Sequence, residues 1–180
     1  MKIFFLSDVH GALERLERCL EAFERERARH LVFLGDALYH GPRNPVPPDY
    51  DPAGTARLLN GYARSIVAVR GNCDSEVDQM MLDYPMSQAH AMLLVEGRRF
   101  FLTHGHLHHP GSPPPLAPKD ILVFGHTHVP LARQEEAFHV FNPGSPTFPK
   151  ESHPPTYGVY EDGRMRIKKL DGETIREHAL

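Results

Sequence analysis

Five short apolar runs in this chain each end beside a glycine and a residue that can ligate a metal. Ile3-Phe4-Phe5-Leu6 leads to Asp8-Val9-His10-Gly11, and Leu31-Val32-Phe33-Leu34 leads to Gly35-Asp36. Ile66-Val67-Ala68-Val69 runs through Arg70 into Gly71-Asn72-Cys73-Asp74. Arg99 to Thr103 delivers His104-Gly105-His106, and Ile121-Leu122-Val123-Phe124 delivers Gly125-His126-Thr127-His128. Runs this short and this apolar read as buried strands rather than helices. On an extended backbone alternate side chains share a face, so Asp8 and His10 are expected to point together while Val9 turns into the core. The same alternation is expected to align His126 with His128.

The segments between the runs set the fold class. Leu13, Leu16, Leu20 and Phe23 recur at helical spacing to about residue 29, and Cys19 joins their stripe. Strand, helix, strand implies a parallel pair, and ligands of open α/β sheets gather beyond the carboxyl ends of such strands. Residues 37–52 read as a long loop, of a length that is often functional, with His40, Arg43 and Asn44 close enough to Asp36 to touch a substrate. Asp51-Pro52 supplies an N-cap and first-turn proline for a helix carrying Leu58, Leu59 and Tyr62. Ala91–Val95 and Arg99–Thr103 flank Glu96-Gly97 as a hairpin, and a proline-rich, extended loop follows from Pro110 to Pro118. Asn142-Pro143-Gly144-Ser145 reads as a turn, and Tyr157–Tyr160, Met165–Leu170 and Thr174–His178 as a β-meander.

Composition excludes several classes. The 180 residues suit one domain, with enough chain to bury roughly 70% of its unfolded surface. With 20 basic against 23 acidic residues and no Lys/Arg block, the chain lacks the footprint of a dedicated nucleic-acid binder. Two isolated cysteines do not make a secreted disulfide framework. The N-terminal apolar run is too short for a signal peptide, and no stretch approaches a membrane span, so a cytoplasmic location is expected.

Collected, the ligand-type residues are Asp8, His10, Asp36, Asn72, His104, His126 and His128, oxygen and imidazole donors without a thiolate. That set suits Mn, Fe, Co, Ni or Zn better than Ca or Mg. It exceeds what one such ion needs, whereas two ions roughly 3.5–4 Å apart can share Asp36, an arrangement found in phosphatases and nucleases. A centre of that charge would attract a phosphate oxyanion.

The ordered series Asp8-x-His10, Gly35-Asp36, Gly71-Asn72, His104 and Gly125-His126-x-His128 resembles the calcineurin-like metallophosphoesterase superfamily over nearly the whole chain. Gly71-Asn72-Cys73-Asp74, His104-Gly105-His106 and Asn142-Pro143-Gly144-Ser145 resemble in particular its small bacterial YfcE-type phosphodiesterases. The resemblance implies an α/β fold, a four-layer α-β-β-α sandwich of two mixed sheets. It also implies a dinuclear site, one metal on Asp8, His10, Asp36 and His128, the other on Asp36, Asn72, His104 and His126. Manganese is the metal expected first, a bridging hydroxide the nucleophile, and a small phosphodiester the substrate. A homo-oligomer, dimer or tetramer, is common among similar proteins.

Cys73 departs from the pattern, because most members of the superfamily carry His after the asparagine, where it stabilises the reacting phosphoryl group. A thiol cannot replace an imidazolium, although nearby metals could depress its pKa and make it reactive, which keeps Cys73 a catalytic candidate; a small half-buried filler is the reading that stands equally beside it. His106 is expected to line the pocket, whereas His30, His90, His108, His109, His139, His153 and His178 read as ordinary loop or surface residues. His104-x-His106-x-His108-His109 mimics a metallo-β-lactamase motif but lacks its Asp and strands Asp8, Asp36 and Asn72. Two rivals to a phosphodiesterase stand: a phosphomonoesterase, and a non-catalytic scaffold of the kind this fold provides in the retromer coat.

Overall fold

The computed structural model describes residues 1–180. The first sheet is built from β1 (Ile3–Leu6), β2 (His30–Phe33), β3 (Ile66–Ala68), β9 (Thr156–Glu161), β10 (Arg164–Lys169) and β11 (Thr174–Ala179). Its order is β11-β10-β9-β1-β2-β3, with β1, β2 and β3 parallel and the C-terminal meander antiparallel. The second sheet has the order β4-β5-β6-β8-β7 from β4 (His90–Val95), β5 (Arg98–Thr103), β6 (Ile121–Val123), β7 (Leu131–Gln134) and β8 (His139–Asn142). Here β5, β6 and β8 are parallel and the two edges antiparallel.

The expected helices form where the apolar spacing requires. In α1 (Leu13–Glu26) Leu16, Cys19, Leu20 and Phe23 are buried, and the helix stops three residues early because Arg27 turns left-handed at φ 52°. Asp51 caps α2 (Pro52–Asn60), its carboxylate accepting the Gly54 N–H at 2.8 Å. A short α3 (Glu76–Met81) and strand β7 escaped sequence reasoning because neither is long enough to show a period.

Two cores define the layers. Leu16, Phe23, Leu59 and Tyr84 pack with Phe4, Phe33 and Tyr157 between the helices and the first sheet. Phe5, Leu34, Phe100, Val123, Phe141 and Tyr160 fill the space between the sheets. The alternation of β1, Phe4 to the helices and Phe5 to the second sheet, follows from the two-residue period of a strand buried on both faces. The outer face of the second sheet is covered by loop chain, Leu116 and Phe138 packing near Phe101 and Phe124, rather than by a regular helix.

Glu26 ties the end of α1 to the meander. Its carboxylate accepts from Lys2 Nζ at 3.2 Å, from Tyr157 Oη at 3.0 Å, and from Lys168 Nζ. Burial works to raise this carboxyl, but hydrogen bonds from Lys168, Lys2 and Tyr157 outweigh it and hold it below its ordinary value. A depressed folded pKa stabilises the fold above the unfolded value and loses that contribution as pH falls through the folded one. Glu26→Gln should therefore cost ~1–3 kcal/mol in chemical denaturation at pH 7, and the difference from wild type should shrink towards pH 3.

Candidate metal centre

The parallel strands of both sheets end at one side of the molecule, and every ligand-type residue follows such an end. Asp8 and His10 follow β1, Asp36 follows β2, Asn72 follows β3, His104 follows β5, and His126 and His128 follow β6. The sandwich thus brings two sets of carboxyl-terminal strand ends together, one from each sheet.

The local backbone is not the extended one expected from alternation. Asp8 (φ 59°), His10 (φ 54°), Asp36 (φ 56°), His126 (φ 62°) and His128 (φ 61°) are all left-handed. Each such residue costs roughly 1–2 kcal/mol in an L-chain, and strain of this kind persists only where its surroundings over-determine it. They do so here: the N–H groups of Asp8, His10 and Gly11 donate to the carbonyls of Gly35, Asp36 and Ala37 at 3.0, 3.0 and 2.9 Å. Glycine is needed beside the ligands for close approach. A Cβ on Gly71 would lie 2.0 Å from Asp36 Oδ1, and one on Gly125 would lie 1.9 Å from Ser7 Oγ and 2.8 Å from Asp8 Oδ2.

The donor atoms converge, and two of them are left unpaired. His128 Nε2 lies 3.2 Å from Asp8 Oδ1, and His10 Nε2 lies 3.8 Å from Asp8 Oδ1 and 3.7 Å from Asp36 Oδ2. On the other side His104 Nε2 lies 3.4 Å from Asp36 Oδ2, 3.0 Å from Asn72 Oδ1 and 3.3 Å from His126 Nδ1. Asp8 Oδ1 and His10 Nε2 are buried with no hydrogen-bond partner at all. Native proteins rarely leave buried polar atoms unpaired, and an ion is one of the usual reasons.

The outer partners select the ligating form of each ring. His10 Nδ1 meets the Tyr39 carbonyl at 2.8 Å, His104 Nδ1 that of Leu34 at 2.7 Å, and His128 Nδ1 that of Phe148 at 2.8 Å. A carbonyl only accepts, so Nδ1 carries the proton and the neutral ring turns an Nε2 lone pair to the centre, the usual arrangement of metal-bound histidine. The carboxylates are aimed in the same way. Asp8 Oδ2 accepts from Ser7 Oγ at 2.6 Å and from the His126 N–H at 2.9 Å, and Asp36 Oδ1 accepts the Cys73 N–H at 2.8 Å. Each is left with one oxygen for the centre.

The charge balance also calls for a cation. Burial alone would raise the Asp8 carboxyl, yet the surrounding His128, His104 and His10 hold it below the ordinary range. Burial pushes His104 down, but Asp36 and Asp8 lift it to about 9, whereas burial and the neighbouring His104 bring His126 to about 4. Without a metal, a proton on His104 would meet part of this demand; divalent ions bound to these donors would displace it.

Several neighbours differ from the sequence expectation. Asp74 is buried, and its carboxylate accepts the N–H groups of Asp36, Ala37 and Gly71 at 2.8, 2.9 and 2.7 Å. Burial and the Asp36 charge push it up to about 6 against those three donors. Asn142-Pro143-Gly144-Ser145 is a brace more than a turn. Asn142 Nδ2 donates to the Gly125 carbonyl at 2.8 Å, and Ser145 Oγ donates to that of Asp8, also at 2.8 Å. Nothing in the sequence marks these roles except an acid or amide placed beside the glycines of the ligand loops.

Cys73 faces the centre, but as a thiol. Burial, then the charges of Asp36 and Asp74, push it up to about 12, opposite to the activation considered from sequence. Arg43 and Asn44 line the cleft over the centre as expected; His40 is instead set between the rings of Tyr39 and Tyr50. His106 lies off that cleft, its ring 5.4 Å from His104 and 6.1 Å from His126 between centroids. His139 and His178 are not ordinary surface residues. They meet at 2.9 Å and join β8 to β11, with His139 buried because the two sheet edges close over it. His90 and His108 pack on Phe101, the former stacked at 5.0 Å.

Comparison with known proteins agrees with this geometry. Residues 1–163 match the model of the calcineurin-like phosphoesterase superfamily domain. The chain is 49% identical to phosphodiesterase YfcE of Escherichia coli K12 over 97% of its own length and 95% of the relative's. The structure of the E. coli YfcE phosphoesterase superposes with a TM-score of 0.97 at 47% identity, covering 99% of both chains. Vacuolar protein sorting 29 of Cryptosporidium parvum shares the fold alone, with a TM-score of 0.67 at 18% identity over 99% of this chain and 98% of that one. With that match over residues 1–163 and that identity over nearly its whole length, the chain belongs to the calcineurin-like phosphoesterase superfamily.

Proposed function

We propose that this protein is a metal-dependent phosphodiesterase acting on small phosphodiesters. Its two divalent ions would be held by Asp8, His10, Asp36 and His128 on one side and by Asp36, Asn72, His104 and His126 on the other. The observation that carries this reading is the convergence of aimed donors on Asp36 Oδ2, 3.7 Å from His10 Nε2 and 3.4 Å from His104 Nε2, beside the unpaired Asp8 Oδ1. Manganese suits the mixed oxygen and imidazole set, as do zinc, iron, cobalt and nickel. Such ions supply Lewis-acid polarisation of a phosphoryl oxygen and bring the pKa of water towards neutrality.

The residues of the chain do the rest. Asp36, pinned by the Cys73 N–H, presents one oxygen to both sides of the centre. The cleft above it, of about 780 Å³, is lined by Arg43 and Lys150, which make no ion pair within the chain and can face an anionic ester. Asn72 has its carbonyl oxygen at His104 and its amide nitrogen 3.3 Å from Cys73 Sγ. A diester carries one negative charge and needs less cationic stabilisation than a monoester dianion, so a thiol in place of an imidazolium penalises monoesters more. Paired aryl phosphate mono- and diesters, assayed after reconstitution with Mn²⁺, should show the larger kcat/KM for the diester. A monoester turned over as well or better would favour the phosphomonoesterase, and no turnover of either would favour the scaffold.

Cys73→Ser should change little, because the group is a protonated thiol packed toward Gly41. A loss of about tenfold or more, ~1.4 kcal/mol of transition-state free energy, at unchanged metal content would make the thiol a participant. Cys73→His should bring a gain well short of the ~10²–10⁴-fold of a well-placed acid. A Cβ built on Gly41 already comes within 3.0 Å of Cys73 Sγ, so space for a ring is short. A homo-oligomer and a cytoplasmic location remain parts of this proposal, the first open to sedimentation and the second to fractionation; no helix is long and apolar enough to cross a membrane.

A further inference from the structure

We infer that a second cavity, beside the metal centre, receives an apolar organic substituent of the phosphoester; the inference rests on the phosphoesterase reading and names its substrate class. The cavity has about 520 Å³ and is walled by Pro110, Phe124, Val129 and Leu131, with the rings of His106 and His109 at its sides. It adjoins the polar cleft, with which it shares His126, Thr127, Val129 and Glu151 as lining. A phosphoryl group bound at the donors would therefore carry one substituent along the His126 wall into this cavity.

The two sides differ in chemistry. Arg43 and Lys150 line the cleft but not the cavity, and the one charged side chain on the cavity wall is Glu151, which repels an anionic group. The volume falls in the range of small-ligand sites, which bind chiefly through apolar contact and a few polar groups. A ring or branched alkyl group fits that lining; a second phosphate or a carboxylate does not. The substrate assigned is thus an asymmetric ester, with its apolar substituent towards Leu131 and its polar or anionic part towards Arg43. Pro110, which opens the Pro110 to Pro118 loop and had no role in the metal centre, contributes to the wall.

Methylphosphonate and benzylphosphonate test this, because their P–C bonds resist hydrolysis and they differ only in the group that would enter the cavity. Affinities for the Mn²⁺-loaded protein are measured by calorimetry, and as competitive inhibition of bis(p-nitrophenyl) phosphate hydrolysis. The wild type should bind benzylphosphonate at least about tenfold more tightly, the scale of a hydrophobic-pocket preference. Leu131→Gln, close in volume but polar, should reduce that ratio to within about threefold. Val129→Asn serves as the second variant should the first not fold. Equal affinities in the wild type, or a preference that survives both variants, would overturn the assignment. Calorimetric preference without any ester hydrolysis would strike only the phosphoesterase reading, and hydrolysis without preference only the cavity.

Discussion

Asp36→Asn should reduce phosphodiester hydrolysis by more than ~10²-fold, beyond the ~10–100-fold typical of losing an outer partner of a metal site. The amide keeps an oxygen for the Cys73 N–H, so the loop should hold, and the fold with it. What disappears is the negative charge shared between the His10 and His104 sides. The measurements are turnover and bound Mn²⁺ per chain, which should fall together. Chelation of the wild type should abolish hydrolysis and added Mn²⁺ restore it. Full turnover by metal-free protein, or by Asp36→Asn, would remove the basis of the proposed chemistry.

Asp74→Asn should be almost as damaging by another route. Three backbone N–H groups converge on this one carboxylate. An amide in its place must turn its NH₂ towards at least one of them, leaving a buried donor without an acceptor. A cost of ~2–4 kcal/mol in denaturant unfolding is expected from that loss. Because Asp36 and Gly71 are among the groups released, activity should fall ~10–100-fold even where the variant is fully folded. Wild-type metal content and turnover in the folded variant would show that the β2 and β3 ends keep their places without Asp74.

Most of the strands, helix α1 and every proposed ligand were legible in the chain because each rests on a local pattern: apolar runs that must be buried, a helical stripe, and a glycine beside a polar donor where a run ends. Residue order alone also paired β1 with β2 as parallel neighbours, since a helix between two strands leaves few other connections. The aiming of the donors was not legible. Alternation along extended strands was the wrong reason for the right grouping, because Asp8, His10, His126 and His128 turn left-handed where the strands end.

The carbonyls that fix the histidine tautomers belong to Tyr39, Leu34 and Phe148, residues whose identity does not enter the interaction. A backbone oxygen carries no signature in sequence. The Asp74 and Asn142 braces and the His139–His178 pair are likewise contacts between segments far apart in the chain. Which donors exist, and that strand ends would present them, was written in the chain, because an apolar run that must be buried shows itself over a few neighbouring residues. Which oxygen and nitrogen of each donor face the centre, and that an apolar cavity opens beside it, followed instead from packing two sheets face to face, which brings together residues far apart in the chain.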